Sequence, residues 1–263
     1  MERVTRGILD NISQDTKELI VVFDGCTDNS ESIFDKVILE HQGKIDIVKT
    51  YTPDVWETKA NNVGMKLSQC DFSCIVQDDM VICEDLFDQR LKKPLNLFSD
   101  CFAVSGRAAH NDVLIKGKTL ECTNLIGREN LTGDKRYIKK LKCFLKTKSD
   151  GRDIFGIRDV VNRGPLLLDN EIIKKVNYLD ELFAPLDFDD HDLCYRVYKE
   201  LGLLCGSYTV RYQSELEWGG TRANTQAIKV QRDSHDKNEK ILIERHFDLI
   251  TGRKHNENRR IKT

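Results

Sequence analysis

The sequence predicts an α/β protein: one domain with a mixed, mostly parallel sheet flanked by helices. Two observations lead there. Short apolar runs alternate with stretches of helical period through the first hundred residues, the pattern of parallel βαβ units. The chain of 263 residues also suits a single α/β domain of about 250 residues.

The elements follow in order. Val4, Ile8, Leu9 and Ile12 are spaced as on a helix. KELIVVF then reads as a buried strand ending in an Asp-Gly turn. Thr27 or Asp28 can cap the next helix, SESIFDKVILEHQ, which leads into a second strand, KIDIVKT. ETKANNVGMKLSQ is a third helix, and DFSCIVQ a third strand running into Asp78 and Asp79. CEDLFDQRLKKPLNLF is helical again and CFAVSG a further strand.

Residues 111 to 160 are polar, basic and weakly periodic. Seven Lys or Arg fall between 135 and 148, with Ile138, Leu141, Phe144 and Leu145 among them. That pattern reads as an amphipathic helix with a solvated basic face, or as a contact surface for an anionic acceptor or a membrane. Order returns at GPLLLDNEIIKKV, and DFDDHDLCYRVYKELG carries a helix that ends near Gly202. A polar helix follows from about 225, with Ile241, Ile243 and Phe247 on it, and the last ten residues read as disordered.

Composition narrows the function classes. The formal charge of −2, with 32% charged residues, argues against a dedicated nucleic-acid binder. Nine cysteines contain no C-x-x-C pair, so a zinc ribbon or redox motif is not predicted. Free thiols in a reducing compartment are, together with a soluble, cytoplasmic chain. No signal peptide opens the chain, and no transmembrane segment of about 18 apolar residues is present.

Three acidic motifs carry the chemistry. In CIVQDDMVI, two carboxylates close an apolar strand, where burying an unpaired charge costs several kcal/mol. A divalent cation, Mg²⁺ or Mn²⁺, suits such a pair, and a helix cap or turn is the plain alternative. In DFDDHDLCYR, Asp187, Asp189, Asp190 and Asp192 crowd the start of a helix. The helix dipole tolerates them, while mutual repulsion raises their pKa values toward those of a useful base. In VVFDGCTDNS, Asp24 follows a strand. A haloacid-dehalogenase start would need a nucleophile where Val22 stands, which excludes that reading.

Taken in order, these segments resemble the family 2 glycosyltransferases of the GT-A fold, over about residues 20 to 222. ELIVVFDGCTDNS is similar to the family's Asp-Asp-Gly-Ser-Thr-Asp strand, ETKANNVGM to its Ala-Arg-Asn-x-Gly helix, and IVQDDMVI to its aspartate-x-aspartate strand end. DFDDHDLCYRVYKELG is similar to Glu-Asp-x-Asp-Leu-x-x-Arg, NRGPLLLDNEIIKKVNYLDELF to the acceptor-side segment, and EWGGTR to a segment near the diphosphate. The resemblance implies transfer of a sugar from a nucleotide-diphosphate sugar, UDP favoured, to a glycan, lipid-linked or protein acceptor, with inversion. It implies Asp24, Asn62 and Asp78 as donor-binding residues, Asp79 as metal ligand and Asp190 as catalytic base, with Asp189 in the family's Glu place. Glu217, Trp218 and Arg222 would lie near the diphosphate. It divides the chain into a nucleotide-sugar half at 1–106, an acceptor half at 107–222, and a C-terminal helix and tail at 223–263.

Two departures stand out. The family's opening strand, which carries base contacts, is not in this sequence. The family's His before Gly-Gly is also missing, so Glu215 or Glu217 would replace it, with His110 and His191 as other candidates. A non-catalytic binding module of the same fold is the alternative function. A nucleotidyltransferase is a weaker one, because no basic Gly-rich loop is visible.

Overall fold

A computed structural model describes residues 1–41, 43, 45–127, 153–214 and 225–261. The basic stretch at 135–148 and EWGGTR, with Glu215, Glu217, Trp218 and Arg222, lie outside the described residues. The first part of the chain alternates as expected: α1 (Glu2–Leu9), β1 (Glu18–Asp24), α2 (Ser30–Glu40), β2 (Asp46–Thr52), α3 (Trp56–Leu67) and β3 (Phe72–Ile75). Next come β4 (Val81–Ile82), α4 (Phe87–Leu97), β5 (Cys101–Ser105), β6 (Ala108–Ile115) and β7 (Thr119–Gly127). Beyond residue 152 lie β8 (Ile154–Arg158), β9 (Val160–Val161), β10 (Leu166–Asp169), α5 (Asn170–Lys175) and a 3₁₀ turn at Glu181–Phe183. The described chain closes with α6 (Asp189–Leu201), β11 (Leu204–Ser207), β12 (Tyr212–Gln213), α7 (Thr225–Gly252) and β13 (Glu257–Arg260).

The main sheet has the order β13-β8-β11-β5-β10-β3. Strands β3, β5, β11 and β13 run one way, and β8 and β10 run against them. Insertion of β10 between β3 and β5 separates two co-directional strands, so the sheet is mixed and most of its adjacent pairs are antiparallel. Leu166 and Leu168 of β10 pack with Leu193 and Val197 of α6 and Leu242 and Ile250 of α7. Leu167 faces the other way, toward Phe87 and Leu91 of α4, as the two-residue period of a strand dictates. The sheet thus lies between α6 and α7 on one side and α4 on the other.

Four local expectations change. Strand β1 pairs with β2 in a separate two-stranded parallel sheet, and Leu19–Val22 are half-buried rather than buried. Among the described residues β1 has one paired edge, so its apolar run is covered less than that of a central strand. The polar region after 107 opens with a β6–β7 hairpin whose turn puts Lys116 and Gly117 at positive φ, as short hairpin turns require. Phe247 is exposed, and the buried stripe of α7 runs instead through Leu242, His246 and Ile250.

The tail is ordered through Ile261: β13 pairs antiparallel with β8, and Arg259 grips Asp100 with two bonds of 2.6 and 2.7 Å. Main-chain pairing and this bidentate contact order a segment whose side chains are polar. No helix among the described residues is long and apolar enough to cross a membrane.

Candidate functional site

Asp24 ends β1 as predicted, but its carboxylate turns back onto the β2–α3 loop. Thr52 Oγ1 and Val55 N donate to Oδ1 at 2.7 Å each, and Trp56 N donates to Oδ2 at 2.7 Å. The turn beside it is tight. Gly25 has φ +60°, and a Cβ there would stand 2.5 Å from Asp54 Cβ. Gly25→Ala should therefore cost more than about 2 kcal/mol, since left-handed backbone alone costs an L-residue about 1–2 kcal/mol. Urea unfolding measures it, and an unchanged midpoint would refute the packing.

Asn62 is buried in α3, and its amide holds the segment ahead of the 3₁₀ turn. Nδ2 donates to Leu179 O at 2.9 Å and Glu181 Oε1 at 3.2 Å, while Oδ1 accepts from Leu179 N at 3.0 Å. In this structure both amide hydrogens are spent inside the protein, and Asn62 positions neighbouring chain.

Asp78 and Asp79 follow β3 in a turn, Asp78 exposed and Asp79 9% exposed. Asp78 and Asp24 are near enough to act together on the Cys26 thiol. Burial raises its pKa first, and the charges of Asp28, Asp24 and Asp78 raise it further. Gln77, in the same turn, donates from Nε2 to Glu57 Oε2 at 3.5 Å.

Helix α6 opens beside this turn, steered by the segment between β9 and β10. Arg163 is 6% exposed. Its guanidinium meets Asp189 Oδ2 at 2.8 Å, Glu57 Oε2 at 3.2 Å and Asp190 Oδ2 at 3.8 Å. Its backbone N–H also donates to Asp190 Oδ2 at 3.1 Å, and His191 N donates to Oδ1 at 3.0 Å. At Gly164, with φ +75°, a Cβ would strike Met80 and stand 2.6 Å from Gln77 Oε1. The Asp79 turn and the start of α6 thus converge on Arg163 and Gly164.

Electrostatics separates the crowded aspartates. Burial raises the pKa of Asp189, Arg163 opposes the rise, and Asp190 adds to it. Glu57 is likewise raised by burial and opposed by Arg163, with Asp189, Asp187 and Asp79 adding to the rise. Asp192 goes the other way. Burial works against its charge, but His246, Arg196 and Arg245 hold its pKa below the ordinary value. Crowding therefore does not lift Asp192, whose cations come from α6 itself and from α7.

His110 and His191 face Asp112 on β6. Burial opposes charge on His191, yet Asp112 carries its pKa up to about 9. Arg163 and Glu57 are residues to which sequence reasoning gave no role. An Arg between the apolar runs VV and LLL was a signal, because Arg is almost never fully buried unless paired.

Asp78 and Asp79 offer carboxylate oxygens, the hard donors that a divalent cation such as Mn²⁺ or Mg²⁺ takes, while Glu57 is already paired with Arg163.

No protein-family model and no curated protein sequence matches the chain. Solved structures do. GalNAc-T7 with UDP, GalNAc and Mn²⁺ matches at a TM-score of 0.58 and 12% identity, over 92% of this chain and 44% of that one. S. aureus TarS 1-349 in complex with UDP-GlcNAc matches at 0.51 and 12%, over 94% of this chain and 65% of that one. The chain spans less than two thirds of either. The likeness is one of fold, and the fold is that of the GT-A glycosyltransferases.

Proposed function

We propose that this chain transfers a sugar from a nucleotide-diphosphate sugar, a UDP-sugar in first place, to an acceptor hydroxyl with inversion. The observation that carries the reading is the convergence of the Asp79 turn and the Asp189–Asp190 helix start on Arg163 and Gly164, within a GT-A fold.

Asp190 is the proposed base. Backbone N–H groups of Arg163 and His191 hold its two oxygens, so the carboxylate meets the acceptor hydroxyl in one orientation. It takes the proton as the acceptor oxygen attacks the anomeric carbon from the face opposite the diphosphate. A single base and a single displacement give inversion. Asp189 is locked to Arg163 and serves as a positioning residue. Asp79, with Asp78 beside it, would hold a divalent cation, which when bound neutralises the diphosphate leaving group. Alignment of two substrates in one cleft contributes the larger share of the acceleration. Residues 1–106 would hold the donor and residues 107–222 the acceptor, in a soluble, cytoplasmic enzyme.

Asp79→Ala should abolish metal-dependent donor binding. Calorimetry of UDP-sugars with and without Mn²⁺ decides it: equal heats from the variant and the parent in Mn²⁺ would overturn the assignment.

The second reading, a binding module without turnover, rests on Asp24 and Asn62, whose side chains are committed to neighbouring loops. Turnover of any nucleotide sugar in a panel would exclude it.

A further inference from the structure

A second group of potential ligands lies on the β6–β7 hairpin. His110 and Asp112 stand two apart on β6, and Cys122 of β7 is the cross-strand partner of Asp112. The register shifts between Ala109 and Asn111, so His110 sits on a bulge, a device that re-aims a side chain. One ligand atom each from His110, Asp112 and Cys122 lies within 4.8 Å of the other two.

Two further observations point to a ligand. His110 is 1% exposed, and neither ring nitrogen has a hydrogen-bond partner among the described residues. Its nearest charged neighbour, Asp112 Oδ1, stands 3.5 Å from Nε2. Asp112 divides its two oxygens: Oδ2 meets His191 Nδ1 and accepts from Tyr195 Oη, both at 3.1 Å, while Oδ1 is the oxygen nearest His110. A carboxylate braced on one oxygen by outer partners and directing the other inward is the arrangement found at metal ligands.

The geometry points to a zinc site formed by His110, Asp112 and Cys122, separate from the Asp79 turn. Thiolate and imidazole donors favour Zn²⁺ over Mn²⁺ or Mg²⁺. Ligands about 2.0–2.3 Å from a tetrahedral centre lie about 3.3–3.8 Å apart. Cys122 is exposed, so its side chain is the ligand with most room to adjust. Three protein ligands leave a fourth position for water or an incoming group. Through Asp112 the site would also brace His191, the residue after the proposed base, yet it stands whether or not sugar transfer is the activity.

The test uses the full chain, stripped with a chelator and titrated with Co²⁺. One equivalent should bind, with a thiolate-to-cobalt charge-transfer band that Zn²⁺ displaces. Cys122→Ser should remove that band and weaken Zn²⁺ binding by about tenfold or more, while Asp79→Ala leaves the band intact. His110→Ala should weaken binding too, but exposed Cys122 is the deciding position because its change leaves the core untouched. Circular dichroism checks the fold of each variant. Absence of a charge-transfer band in the parent, or the same band in Cys122→Ser, overturns the site.

Discussion

Asp190→Asn should lower turnover about 10²–10⁴-fold, the usual worth of a general base, and leave the donor dissociation constant nearly unchanged. The substitution keeps the shape of the side chain. Asp190 accepts from Arg163 N and His191 N, and an asparagine can satisfy one of these while its NH₂ opposes the other. The structural cost should stay near 1 kcal/mol, too small to account for a loss of that size. Steady-state rates with a UDP-sugar panel and donor calorimetry on the same variant separate the two effects. Lost donor binding with retained turnover would reverse the assignment and place Asp190 with the donor.

The largest stability effect should come from Arg163→Met. The guanidinium pairs with Asp189, Glu57 and Asp190, and its removal leaves buried carboxylate charge uncompensated. Breaking such a pair costs about 3–5 kcal/mol. Arg163→Lys should recover only part of it, since an ammonium lacks the planar fork that reaches several carboxylates.

The sign with pH follows from the raised pKa values of Asp189 and Glu57. A group raised in the folded state keeps its proton after the unfolded chain has lost it, so its contribution to stability falls as pH rises above about 4. Removing Arg163 raises both groups further. The deficit of Arg163→Met should therefore grow from acid toward neutral pH in urea melts. A deficit that shrinks over that range would mean the carboxylates are not what the arginine compensates.

The elements from β1 to β3 were legible because their evidence is local. Apolar residues two or four apart disclose a strand or a helix, and Asp24, Asp78 and Asp79 fall where the apolar runs stop. The acidic start of α6 was legible for the same reason. The β6–β7 turn at Lys116–Gly117 was also written in the chain, and a basic, weakly periodic context obscured it.

Other features depended on segments distant in sequence. That Asp24 serves the β2–α3 loop is decided by where Thr52, Val55 and Trp56 stand. That Asn62 braces Leu179 is decided by the packing of α3 against the 3₁₀ turn. The four aspartates near the start of α6 look alike in the sequence. Their surroundings part them: Arg163 comes from the β9–β10 connection, and His246 and Arg245 come from α7.

What the sequence determined by itself was the alternation of elements and the strand-end position of the acidic pair at 78 and 79, since both rest on neighbours along the chain. The tertiary structure alone decided that Asp79 is buried, that its turn meets α6 at Arg163 and Gly164, and which carboxylate is paired with what. Burial and charge pairing depend on groups that only the folded topology brings within a few ångströms.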